Sequence, residues 1–172
     1  MAIEMPERHP NAPKPGEEIP SHLHMCFGCG VDHPTGLHMK SIAGEGLTAT
    51  CEFTVTEMHQ GAPGLAHGGL LSLAFDEALG KLMYLLQVPA VTGHLDTDFL
   101  KPIPVGSTLF INARITGQER RKVYTEAEGR LNSPDGELAL KASALYVVVG
   151  IEHFIKNAAD GFINDKMFGI NP

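Results

Sequence analysis

The stretch from Leu70 to Leu86 constrains this chain more than any other, because its natural place is the middle of a fold. A helix drawn from about His67 to Gln87 carries Leu70, Leu71, Leu73, Ala74, Phe75, Ala78, Leu79, Leu82, Met83, Leu85 and Leu86 around nearly its whole circumference. A helix that is apolar on almost every side is a buried one. Pro89 marks its end, since the residue before a proline leaves the helical region. Ser72, Asp76, Glu77 and Lys81 interrupt the run, so it lacks the uninterrupted apolar length that a membrane span needs.

Everything around this helix reads as strand and turn. Leu37–Ile42 predicts a short strand, Gly44-Glu45-Gly46 a hairpin, and Leu47, Ala49, Cys51, Phe53 and Val55 alternate onto one face of the return. Residues 57–66 form a loop through Gly61, Pro63 and Gly64. Beyond the helix, strands are predicted near 91–100, 107–118, 121–132 and 137–149, with a short tail helix over 151–159. The expected class is α+β, an antiparallel sheet wrapped around one long central helix. The expected layout is a mobile or loosely draped, proline-rich arm over 1–24, a domain over 25–150 and a tail over 151–172.

Two polar features sit badly in a greasy helix. Glu77 and Lys81 are four residues apart and pair on what the wheel makes the solvated stripe, shared with Tyr84. Asp76 lies about 100° away among Ser72, Leu73, Leu79, Gly80 and Met83. Aspartate is a poor mid-helix residue and costly to bury unpaired, so either a buried donor holds it or it is a base or nucleophile in a cleft. At the helix start, Gly68 and Gly69 sacrifice helix stability and offer bare N–H groups suited to a developing oxyanion. His67 and Asp76 are nine residues apart, about 13 Å along the axis. That distance is long within one subunit and suggests a site completed by a second copy.

A formal charge of −7 argues against nucleic acid as a partner. It leaves room for one local cation cluster, for which Lys101 and Arg120-Arg121-Lys122 are the candidates; they serve either an anionic ligand or solvated turns. Cys26, Cys29 and Cys51 are odd in number, and the first residues lack a basic-then-apolar leader, so reduced thiols in the cytoplasm are expected. Cys26-Phe27-Gly28-Cys29 is a lone C-x-x-C. His22, His24, His33 and His38 are near in sequence, but no second ligand pair stands at a finger-like spacing, so no metal is expected. Cys51 alternates with Ala49 and Phe53 and reads as core.

The segment HQGAPGLAHGGLLSLAFDEALG resembles the central motif of hotdog-fold acyl-CoA thioesterases of the PaaI-like group, in which an acid stands nine positions after the histidine of H-G-G. TGHLDTDFLKPIPVG is similar to the following strand and turn in mitochondrial acyl-CoA thioesterases of that superfamily, and CFGCGVDHPTGL resembles a lead-in of bacterial relatives. The resemblance implies the hotdog fold and hydrolysis of an acyl or aryl coenzyme A thioester. It implies roles for His67, Gly68, Gly69, Asp76 and for Thr92, sixteen positions after the aspartate. Where some relatives carry Asn or Gln six residues before the histidine, this chain has Gly61, beside Gln60.

Taken together, the carbonyl oxygen is expected on the Gly68 or Gly69 N–H, with Asp76 of the other subunit attacking or activating water and Thr92 positioning it. No cofactor is expected beyond the coenzyme A of the substrate. A homodimer with a shared site, paired into a dimer of dimers, is expected to cover the sheet edges. His59, Gln60, Gly61, His94, Lys101, Arg120 and Arg121 are the candidate substrate-binding residues; alternation puts His94 on one face with Thr92, Asp96 and Asp98. Phe75, Leu79 and Met83 serve either an acyl tunnel or the core. Two rivals stand beside hydrolysis. One is hydration or dehydration on the same fold, pairing His59 with Asp76. The other is acyl-CoA binding without turnover.

Overall fold

A computed structural model describes residues 2–162. In chain order, β1 (Lys40–Ala43) and β2 (Thr48–Thr54) are followed by a single 3-10 turn at Glu57–His59, then by β3 (Gln60–Ala62) and β4 (Leu65–Ala66). The helical segments α1 (Gly68–Gly80) and α2 (Met83–Leu86) come next. The rest is β5 (Ala90–Phe99), β6 (Thr108–Glu119), β7 (Lys122–Leu131), β8 (Leu138–Val148) and α3 (Ile151–Asn157). The main sheet is antiparallel in the order β1-β2-β6-β7-β8-β5, while β3 and β4 form a small separate ribbon. This is the hotdog architecture: the sheet curls around α1, which packs on β2, β5, β6, β7 and β8.

Period-two patterning builds that concave face. Ala49, Cys51 and Phe53 of β2, Leu109 and Ile111 of β6, Val123 and Ala127 of β7, and Leu140, Ala142 and Ala144 of β8 all point at the helix and are buried. Ala74, Phe75, Ala78 and Leu79 of α1 meet them with no solvent exposure. Phe75 fits because the sheet residue beneath it is Gly129, where an added Cβ would lie 2.8 Å from the Phe75 ring.

The helix expected over 67–87 is divided. After Gly80 the bonding tightens to three-residue steps, with Leu82 donating to Leu79 and Tyr84 to Lys81, before α2 resumes and Gln87 ends it in the left-handed region at φ 55°. The arm is also more ordered than its composition suggests. Its prolines give up donors, but the remaining backbone groups find partners: Glu4 bridges Gln118, Ile19 donates to Ser41, and Arg8 bonds the carbonyls of Gly44 and Gly46. Ile19 is buried in the core beside β1. The tail helix runs Ile151–Asn157, and the expected tail beyond residue 162 lies outside the described residues, as does Met1.

Gly129→Ala tests the helix–sheet fit. Phe75 is fully enclosed and has nowhere to retreat, so the substitution should cost about 1–3 kcal/mol in urea unfolding, with an unchanged m-value. A loss within error would mean that the seam is slack.

Candidate active site

Asp76 stands on α1 at the rim of the core, half-buried, and two strands reach its carboxylate. β5 and β8 are in register at Thr92 and Tyr146, so both side chains point at the helix from neighbouring strands. Thr92 Oγ1 donates to Asp76 Oδ1 at 2.8 Å. Tyr146 OH lies 2.9 Å from the same oxygen and 2.7 Å from the Asp76 carbonyl, sharing one hydrogen between them. Burial, and then the Asp76 charge, hold the Tyr146 phenol well above its ordinary range, so it stays a donor at any working pH. Among the described residues nothing donates to Oδ2. A cavity of about 370 Å³ opens there, lined by Asp76, Thr92, Tyr146, Val91 and Met83.

Tyr146 escaped the sequence reading. Its signal was parity: it continues the inward row Leu140, Ala142, Ala144, and a hydroxyl in that row needs a partner across the core.

At the other end of α1, His67 is the N-cap, and its Nδ1 accepts the Gly69 N–H at 2.9 Å. That amide is therefore engaged. The Gly68 N–H has no partner among the described residues, and a Cβ at Gly68 would lie 3.6 Å from the Phe99 ring at the far end of β5. Gly61 is there for packing: a Cβ would come within 2.8 Å of His67 Cα. Gln60 spends its side chain on the turn, accepting from Gly64 N at 2.7 Å and donating to Glu57 O at 3.0 Å. His59 is buried, caps the 3-10 turn through Thr56 N at 3.1 Å, and lines a different cavity, with Phe53 and His38. The cavity at Asp76 is not lined by His59, and the cavity at His59 is not lined by Asp76.

Two expectations of facing are corrected. A bulge at Gly93 shifts the register so that Thr92 pairs with Tyr146 but His94 with Leu145. The extra residue turns His94, Asp96 and Asp98 to the outer face, away from Thr92. The supposed wet stripe is also buried: the Lys81 side chain is 2% exposed and that of Glu77 10%, because the arm crosses them and Pro20 O accepts from Lys81 Nζ at 2.7 Å. Of the cation candidates, Arg120 and Arg121 are exposed in the β6–β7 turn, where Arg121 O accepts from Val148 N beside the Ala90 end of β5. Lys101 lies past the opposite end and pairs with Glu137 at 2.8 Å.

Residues 63–136 match the family described as Thioesterase superfamily. The matched stretch contains Asp76 and Thr92 and leaves out Tyr146 and the Cys26–Cys29 turn. Acyl-coenzyme A thioesterase THEM4 of Xenopus laevis is 31% identical over 97 residues, which cover 56% of this chain and 43% of that protein. The chain spans less than half the length of the curated relatives it matches. Among solved structures, the E. coli PaaI protein from the phenylacetic acid degradation operon is 22% identical with a TM-score of 0.61, covering 66% of this chain and 81% of that one. The smu.793 protein of Streptococcus mutans, bound to acetyl CoA, is 22% identical with a TM-score of 0.59, covering 64% and 87%. At these identities the structures share the fold.

Burial pushes the His59 imidazole below its ordinary value of 6.5. As pH falls through that value the unfolded chain takes up a proton that folded His59 resists, so stability drops toward acid and is flat above. His59→Gln should flatten this part of the stability–pH curve in denaturant titrations, and an unchanged slope would show His59 titrating freely.

Proposed function

We propose that the chain hydrolyses an acyl or aryl thioester of coenzyme A, with Asp76 as the catalytic carboxylate and residues 25–150 as the working domain. One observation carries this reading. A single carboxylate oxygen is fixed by the Thr92 and Tyr146 hydroxyls while the other is left open to a cavity. Oδ2 takes a proton from water as the water oxygen attacks the thioester carbon. The oxyanion accepts the free N–H of Gly68, and collapse of the intermediate expels the thiolate, a good leaving group that needs little acid help. Thr92 and Tyr146 are positioning residues, and no step calls for a cofactor. The kinship with THEM4 and the fold shared with an acetyl CoA complex support the substrate class. His59 spends its ring on a turn and lines another cavity, which favours hydrolysis over the hydratase pairing.

The Gly68 amide and Asp76 stand at opposite ends of α1, so we infer a homodimer. β5 is one edge of the sheet, and its inward side chains Thr97 and Phe99 stay partly or largely exposed. A two-fold pairing runs β5 antiparallel to its copy. It brings the Thr92 end of one strand, with Asp76, to the Phe99 end of the other, with Gly68. The same pairing carries the partner's Lys101 toward Arg120 and Arg121 at the Ala90 end, a cation set suited to the phosphates of coenzyme A. Assembly into a dimer of dimers and residence in the cytoplasm, consistent with three unbridged cysteines, belong to the same proposal.

Asp76→Asn should lower kcat for thiol release by about 10²–10⁴-fold across a panel from acetyl- to palmitoyl-CoA and aryl esters. Near-normal turnover would refute the assignment, and oxygen-18 from labelled water found in the Asp76 carboxylate would replace water activation with direct attack. Co-expression of Asp76→Asn with Gly68→Val should restore activity that neither variant has alone, since one of the two sites in each mixed dimer is intact. No restoration, with mixed dimers present, would put both groups in one subunit.

A further inference from the structure

Beside the Asp76 cavity, and independent of the reading above, lies a cluster that thioester chemistry does not use. His22, Cys26 and Cys29 of the strap before β1, and Glu77 of α1, each offer a ligand atom, and the four atoms lie within 4.8 Å of one another. We propose that these four residues form a closed binding site for a zinc-type divalent cation, which clasps the strap to α1 next to Asp76.

The geometry is nearly that of a filled site. Tetrahedral zinc, with sulfur at about 2.3 Å and nitrogen or oxygen at about 2.0 Å, sets its ligands roughly 3.3–3.8 Å apart. Cys26 Sγ is 3.4 Å from Glu77 Oε2, and Cys29 Sγ is 3.4 Å from His22 Nδ1. Two edges of the tetrahedron are thus already at length. The strap is shaped for this by its own backbone, with Cys26 N donating to Leu23 O and Gly30 N to Cys26 O. Gly28 lets the turn lie flat on the carboxylate: a Cβ there would sit 2.4 Å from Glu77 Oε2.

Charge gives a second, separate argument. The Glu77 side chain is nine-tenths buried, and its Oε1 accepts no hydrogen bond, although Lys81 Nζ stands 3.4 Å away off the bonding direction. A buried carboxylate half-satisfied in this way is costly. A divalent cation bound by this carboxylate offsets that cost by neutralising its charge. Two thiolates and one carboxylate then face the cation and the enclosed Lys81 ammonium, and the buried cluster carries no net charge. Two sulfurs, one imidazole and one carboxylate suit zinc and disfavour magnesium or calcium, which take oxygen. Four protein ligands leave no open position, so the role is structural. C-x-x-C did not announce the site because its completing ligand is on the helix, 48 residues after Cys29.

The consequence reaches the cavity, since His22 and Cys26 line the same space as Asp76 and Thr92. The test is cobalt titration of the full chain, purified under reducing conditions and stripped with chelator. One equivalent should bind, with the visible bands of tetrahedral cobalt and a near-ultraviolet thiolate charge-transfer band, displaced by zinc. Zinc should raise Tm of the wild type. Glu77→Gln should weaken binding at least about 10-fold, Cys26→Ser should diminish the charge-transfer band, and His24→Gln, outside the cluster, should change neither. A folded wild-type chain that takes up no cobalt, or binds it without the thiolate band, would overturn the proposal whether or not any variant folds.

Discussion

Phe75 sits under the sheet with no solvent exposure, and the positions of the neighbouring side chains follow from that. Its ring fills the hollow above Gly129, which fixes the rotation of α1 about its axis. Asp76 is the next residue, and a turn of about 100° from Phe75 carries it to the rim, where β5 and β8 end in hydroxyls. Glu77, one step further round, faces the strap. Packing of one aromatic thus decides where two adjacent carboxylates go, and they meet opposite surroundings. One is held by neutral donors at the mouth of a cavity. The other is enclosed with a cation and two thiols.

Much of this was legible in the chain because burial and period are strong signals. The apolar circumference of residues 70–86 announced a central helix, and each long strand after it ran within two residues of its alternating pattern. Asp76, isolated among apolar neighbours, and Thr92 in its strand were readable as a pair only through family resemblance. The hydrogen bond between them is a tertiary fact.

What escaped has definite physical causes. The Glu77–Lys81 stripe looked solvated because a helical wheel knows nothing of a strap arriving from 61 residues upstream of Lys81. That strap looked loose because proline and charge usually mean exposure, yet a few backbone bonds and one buried isoleucine suffice to lay it down. The break after Gly80 changes the bonding step without changing which residues are buried, so periodicity could not report it. His94 was placed beside Thr92 by strict alternation, which a single extra residue at Gly93 defeats. Tyr146 hid in a run so apolar that its one polar atom went unweighed.

The bulge at Gly93 acts as a phase shifter within one strand. Upstream of it, β5 addresses the carboxylate; downstream, the odd and even positions exchange faces, and His94, Asp96 and Asp98 look outward instead. The two halves of β5 are thereby uncoupled. Substitutions can drift across the outer surface without moving the threonine hydroxyl, whereas an insertion or deletion in this short stretch would reverse the strand's facing and leave Asp76 tethered to Tyr146 alone.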